Sequence, residues 1–103
     1  MSDVSADFDA FIASQPLPVI ADFWADWCGP CHALAPEIKK LAQEWKGRAV
    51  VIKIDTEKKP DLAARFNITG IPTVILFKQG KVAHRISGAM PLAQLKREFE
   101  GKL

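Results

Sequence analysis

Two rhythms of apolar residues alternate along this chain. Phe8, Phe11 and Ile12 stand at i, i+3 and i+4, which predicts a short helix over residues 7–14. Pro18–Ala25 is a nearly unbroken apolar run rich in strand formers, the mark of a strand buried on both faces. Leu34, Ile38, Leu41 and Trp45 return to helical spacing, and Gly47 falls where that helix would stop. Ala49–Asp55 reads as a second buried strand, and Pro60–Phe66 as a short helix with proline in its first turn. Thr73–Lys78 and Lys81–Ser87 flank Gln79-Gly80, a hairpin signal. Pro91–Glu100 is a closing helix with Leu92, Leu95 and Phe99 on its inner face.

The predicted order is α-β-α-β-α-β-β-α. The first two strands are joined through a helix, so they are expected to be parallel with a right-handed crossover, and the last two to form an antiparallel hairpin. The fold class is α/β, a mixed sheet with helices on both faces. Trp27-Cys28-Gly29-Pro30-Cys31 lies between the first strand and its crossover helix, at the carboxyl end of a strand, where open α/β sheets place their sites.

Composition narrows the function. With 103 residues there is room for one domain, spanning 1–103. Hydrophobic residues at 49% and charged residues at 25% exclude a disordered chain. A formal net charge of +2 with no long basic run argues against nucleic-acid binding. Apolar runs such as Thr73–Phe77 fall far short of the ~18 residues of a membrane span. The opening Met-Ser-Asp-Val-Ser-Ala-Asp is acidic and has no apolar core, so no export signal is expected and the cytoplasm is the expected location. Nothing in the sequence suggests more than a monomer.

Cys28 and Cys31 are the sole cysteines. A bridge three positions long constrains the unfolded chain little, so the pair points to chemistry rather than stapling. Helix-start amides lack intrahelical partners, and with the helix dipole they favour a thiolate at Cys28, below the ordinary pKa of ~8.5. Gly29 permits the tight turn, and Pro30 sacrifices no useful donor. Cys31, a turn further on, is expected to be the less exposed partner. Cys28 would attack a substrate disulfide, and Cys31 would then attack Cys28 and release the reduced product. Cys31 must lose a proton at that step, so a nearby base would help.

Rival readings exist. Structural zinc needs four ligands, and only His32 and His84 could join the thiols. The pair could also be inert. Cys28-Gly29-Pro30-Cys31-His32 matches the haem attachment pattern C-x-x-C-H, with His32 proximal and Met90 as the distal ligand. Against haem stand the missing export signal, the strand running into the motif and the proline inside it.

Asp22-Phe23-Trp24-Ala25-Asp26-Trp27-Cys28-Gly29-Pro30-Cys31, Lys53 with Asp55, Gly70-Ile71-Pro72-Thr73, Phe77-Lys78-Gln79-Gly80 and Gly88-Ala89 fall in the order and spacing of the thioredoxin family, which the chain resembles from Phe8 onward. The resemblance implies a thioredoxin fold and a protein-disulfide reductase with no cofactor of its own. It implies a flavin-dependent thioredoxin reductase using NADPH as electron source, and disulfide-containing proteins as targets. It implies that Asp22, a carboxylate in an apolar run and costly to bury unpaired, handles the proton of Cys31. Lys53 is implied to stand near Asp22. Trp27, Gly29, Pro30, Gly70, Ile71, Pro72, Gly88 and Ala89 are implied to form a docking face. There Ile71-Pro72 would be cis, against the usual trans preference, and Ile71 would pair with an extended substrate. Trp24 is expected to pack near the site, and Pro36 to shape the long helix. A thioredoxin-like scaffold that lends a docking face to a larger enzyme is the alternative.

The chain also departs from the family pattern. It begins about four residues late relative to familiar bacterial members, so four good strands and at most a stub of the family's first strand are expected, leaving an edge less protected. His32 replaces the usual Lys or Arg, which would make the redox potential depend more on pH. Glu57 stands where Asp is common, and Met90-Pro91 opens the last helix without a Ser cap. Neither is expected to touch the chemistry.

Overall fold

The computed structural model describes residues 4–103. Its elements are α1 (Val4–Ser14), β1 (Val19–Trp24), α2 (Gly29–Glu44), β2 (Val50–Asp55), α3 (Pro60–Arg65), β3 (Thr73–Lys78), β4 (Lys81–Ser87) and α4 (Leu92–Phe99), followed by a 3-10 turn at Glu100–Lys102. The expected order holds, with α1 starting three residues earlier than its spacing suggested and α4 tightening into the 3-10 turn.

The four strands form one mixed sheet in the order β2-β1-β3-β4. β1 pairs parallel with β2 and antiparallel with β3, and β3 pairs antiparallel with β4. The β3–β4 connection is a two-residue turn in which Gln79 and Gly80 both have positive φ, 52° and 79°. That backbone matches strand twist, which explains why Gln-Gly marks a hairpin.

Side-chain alternation along the strands divides the core. Val19, Ala21, Phe23, Ile75 and Phe77 face α1 and α3, where they meet Phe8, Ile12 and Leu62. Ile20, Val74, Leu76 and Ile86 face α2 and α4, packing on Leu34, Ile38, Leu41, Leu95 and Phe99. Pro36 lies inside α2 without ending it.

One expectation is corrected. Ala49–Asp55 is not a second fully buried strand. β2 is an edge, and only Ile54 of its six residues is buried. Its apolar run resembles that of β1, but its place in the sheet depends on partners far along the chain. The start of α4 lacks a local cap, as expected. Pro91 supplies no side-chain cap, yet the Leu92 N–H donates to Glu37 Oε1 at 3.0 Å, so a carboxylate on α2 replaces the missing local Ser. Among the described residues no strand precedes α1; residues 1–3, where part of the acidic leader and any strand stub would fall, lie outside them.

Candidate active site

β1 delivers the chain to the top of the sheet, and α2 begins at once. Cys28 is the N-cap of α2 in extended backbone, and its Sγ accepts the Cys31 N–H at 3.2 Å. An orphan helix-start donor therefore points at the sulfur, as the sequence suggested. Cys28 and Cys31 are joined as a disulfide. Both are buried, with 4% and 2% of their surfaces exposed, so the expected contrast in exposure is small. Ala25, Trp24 and Ile71 pack around them.

Ile71-Pro72 is cis, as the resemblance implied. The Ile71 carbonyl oxygen lies 3.7 Å from Cys28 Sγ. Thr73 Oγ1 donates to Gly70 O at 2.6 Å and closes that turn. The Gly88 N–H donates to Pro72 O at 2.9 Å, which draws the Gly88-Ala89 loop to the same face. Gly88 has φ of +95°, a conformation few other residues adopt. Gly29, Pro30, Gly70 and Ala89 are exposed around this face, and Pro72 is buried. Trp27 projects from it with 70% of its surface exposed. An open groove of about 260 Å³ runs between Trp27 and Gly70-Ile71, floored by Thr56 and Ile68.

Trp27 has a side-chain partner. Its indole Nε1–H donates to Glu57 Oε1. Glu57, expected to stand apart from the chemistry, is the partner of the most exposed aromatic of the face. Its distance along the chain hid it, since a residue thirty positions away leaves no local pattern.

Asp22 occupies β1 between Ile20, in the core beneath α2, and Trp24, against the disulfide, on the same strand face. It is 1% exposed, and neither carboxylate oxygen has a hydrogen-bond partner in the structure. Burial pushes its pKa from 3.8 up to about 6, and the nearby Lys53 charge opposes the shift. Lys53 is the register partner of Asp22 on β2. Its ammonium does not bond the carboxylate; it rests 4.5 Å from the centroid of the Trp24 ring. Proximity to Asp22 is therefore right, and direct contact is absent.

His32 sets Nε2 2.6 Å from the Asp26 carbonyl oxygen, with its ring edge-on to Trp24. Since a carbonyl only accepts, that nitrogen carries the proton. Met90 packs against the cluster under α2 and α4. The atoms a haem would need, both sulfurs and His32 Nε2, are thus already engaged.

The thioredoxin family model matches residues 1–100. The chain belongs to the thioredoxin family. It is 49% identical over 90 residues to thioredoxin 1 of Chlorobaculum tepidum, covering 87% of this chain and 89% of that one. A thioredoxin-like protein of Synechocystis is 40% identical over 95 residues, covering 92% and 90%. A chloroplastic M-type thioredoxin of Spinacia oleracea is 43% identical over 90 residues, covering 87% of this chain and 50% of its own. The sheet and its two helix layers are the thioredoxin fold in four-stranded form. The chain is a thiol–disulfide oxidoreductase that reduces protein disulfides by dithiol–disulfide exchange.

Proposed function

We propose that Cys28 is the attacking sulfur and Cys31 the resolving one. The observation that carries this assignment is the Cys31 N–H directed at Cys28 Sγ from the first turn of α2. That donor and the helix dipole stabilise negative charge on Cys28 and not on Cys31. In the reduced protein the Cys28 thiolate attacks one sulfur of a target disulfide. The target's S–S bond breaks, a mixed disulfide forms, and one target sulfur leaves as thiolate. Cys31 then gives up its proton and attacks Cys28, which expels the second target sulfur and restores the Cys28–Cys31 bridge. Two electrons pass from the protein to the target.

Asp22 is the proton acceptor for Cys31 in this reading. Its place between the core and the disulfide, and a pKa of about 6, make it a base near neutral pH. Lys53 biases Asp22 toward its ionised form. Trp27, Gly29, Pro30, Gly70, Ile71, Pro72, Gly88 and Ala89 form the target-docking face, with the Ile71 main chain pairing an extended target segment. A flavin-dependent thioredoxin reductase drawing on NADPH returns the electrons. The chain acts as a monomer in a reducing compartment, for which we propose the cytoplasm.

Insulin reduction with dithiothreitol tests the assignment. Cys28→Ser abolishes turnover, and Cys31→Ser accumulates a stable mixed disulfide visible by mass spectrometry. Turnover that survives Cys28→Ser would instead support the scaffold alternative.

A further inference from the structure

The sheet has two edges among the described residues, and they are protected differently. β4 carries an irregular register opposite Leu76–Phe77, with Lys81 and Arg85 along it. Bulges and charges of that kind discourage a further strand. β2 has no such break. The Val50 N–H donates to Pro18 O and the Thr56 N–H to Trp24 O, so even-numbered residues face β1. Val51, Lys53 and Asp55 therefore turn their main-chain groups outward. Asp55 O is taken by the N–H groups of Lys58 and Lys59, which leaves Val51 and Lys53 as a two-residue slot.

A groove flanks this slot on each face of the sheet. Against α2, a groove of about 410 Å³ is lined by Ala35, Pro36, Ile38, Ala42 and Val51. Against α1 and α3, one of about 450 Å³ is lined by Phe8, Ile52, Ile54 and Leu62. A strand laid beside β2 would send alternate side chains into the two.

Charge selects the occupant. Lys39 and Lys53 rim the first groove, and Lys53, Lys58 and Lys59 the second. None of these four has an acidic side chain within ion-pair distance among the described residues. Asp7 and Asp55 stand in the second groove and offset part of its charge, so the first groove, with Lys39 and Lys53 and no acidic lining residue among the described ones, carries the larger positive excess. A second copy of this chain would bring the same lysines with it, and like charges disfavour that pairing.

We propose that the outer edge of β2 is a docking site for an extended polypeptide strand in which apolar and acidic residues alternate. Main-chain bonds to Val51 and Lys53 hold it, apolar side chains fill one groove, and carboxylates meet the lysines. The slot lies at the sheet edge, off the docking face, and shares only Lys53 with the groups around the disulfide.

Amide hydrogen exchange with two peptides decides the matter, acetyl-(Val-Glu)3-amide and acetyl-(Val-Lys)3-amide. The acidic peptide is expected to slow exchange of the Val51 and Lys53 amides about tenfold or more, and the basic one to leave them unchanged. The double variant Lys39→Glu, Lys58→Glu should lose the effect while reducing insulin as before, which also shows that it folds. Four results overturn the proposal: amides already protected in the free protein, no response, equal response to both peptides, or a dimer by sedimentation that shields the same two amides.

Discussion

β1 is one strand with two working sides. Val19, Ala21 and Phe23 face α1 and α3 and pack into one apolar cluster, with Thr73, buried and polar, as the register partner of Phe23. Ile20, Asp22 and Trp24 face α2 and grade, over three positions, from core to buried carboxylate to the wall of the disulfide site. The first side is all cohesion. The second tolerates an unpartnered carboxylate that a purely structural sheet would exclude, since burying such a group costs several kcal/mol. Stability and chemistry are thus separated by the pleat of a single strand, and substitutions at adjacent residues should tell them apart.

Phe23→Ala has the largest expected effect. It empties a fully buried site on the cohesive side and should cost about 3–5 kcal/mol in urea denaturation. Below its midpoint, the alkylation rate of Cys28 by iodoacetamide should match wild type. A reactivity change as large as the stability change would break the separation of the two sides.

Asp22→Asn sharpens the same contrast with the opposite sign. The folded pKa of Asp22, about 6, lies above its ordinary 3.8. Below about pH 4 the carboxyl is neutral in both states and carries no penalty. As pH rises from about 4 through 6, the unfolded chain ionises first and the fold loses stability. A difference of about two pH units corresponds to a loss of up to about 3 kcal/mol. Asp22→Asn should therefore unfold at higher urea than wild type at pH 8, with the gain shrinking toward pH 4. At pH 7 the same variant should lengthen the life of the mixed disulfide. A gain independent of pH would detach the penalty from ionisation.

Glu37→Gln has the smallest expected effect. The Leu92 N–H and the Lys40 ammonium hold the Glu37 carboxyl below its ordinary range. Its contribution is present at neutral pH and lost as pH falls through that lowered value. A modest drop in Tm at pH 7 should therefore fade in strong acid, while insulin reduction stays intact.

Much of this was legible in the sequence because the deciding signals were local. Gln79-Gly80 marked a turn that needs positive φ, and Thr73–Lys78 and Lys81–Ser87 are strands over those very residues. The dithiol motif at a strand-to-helix junction marked the site. The cis bond at Ile71-Pro72 was legible only through the family resemblance, since proline before a strand is ordinarily trans. What escaped notice is long-range. Ala49–Asp55 reads like an interior strand, because which strand lies at an edge depends on the whole sheet. Glu57 and Glu37 reach partners 30 and 55 positions away, and no periodicity records that. Lys53 was placed near Asp22 only through the family resemblance, and its rest on the Trp24 ring rather than on the carboxylate is a matter of side-chain reach.

The carboxylate that starts α4 from the side of α2 has a consequence for how the molecule opens. The Leu92 amide is tied to a different helix, so it is released to water when the two helices part and not merely when one of them frays. A single backbone resonance thereby reports whether the carboxyl-terminal helix is seated on the helix that carries the reactive sulfurs.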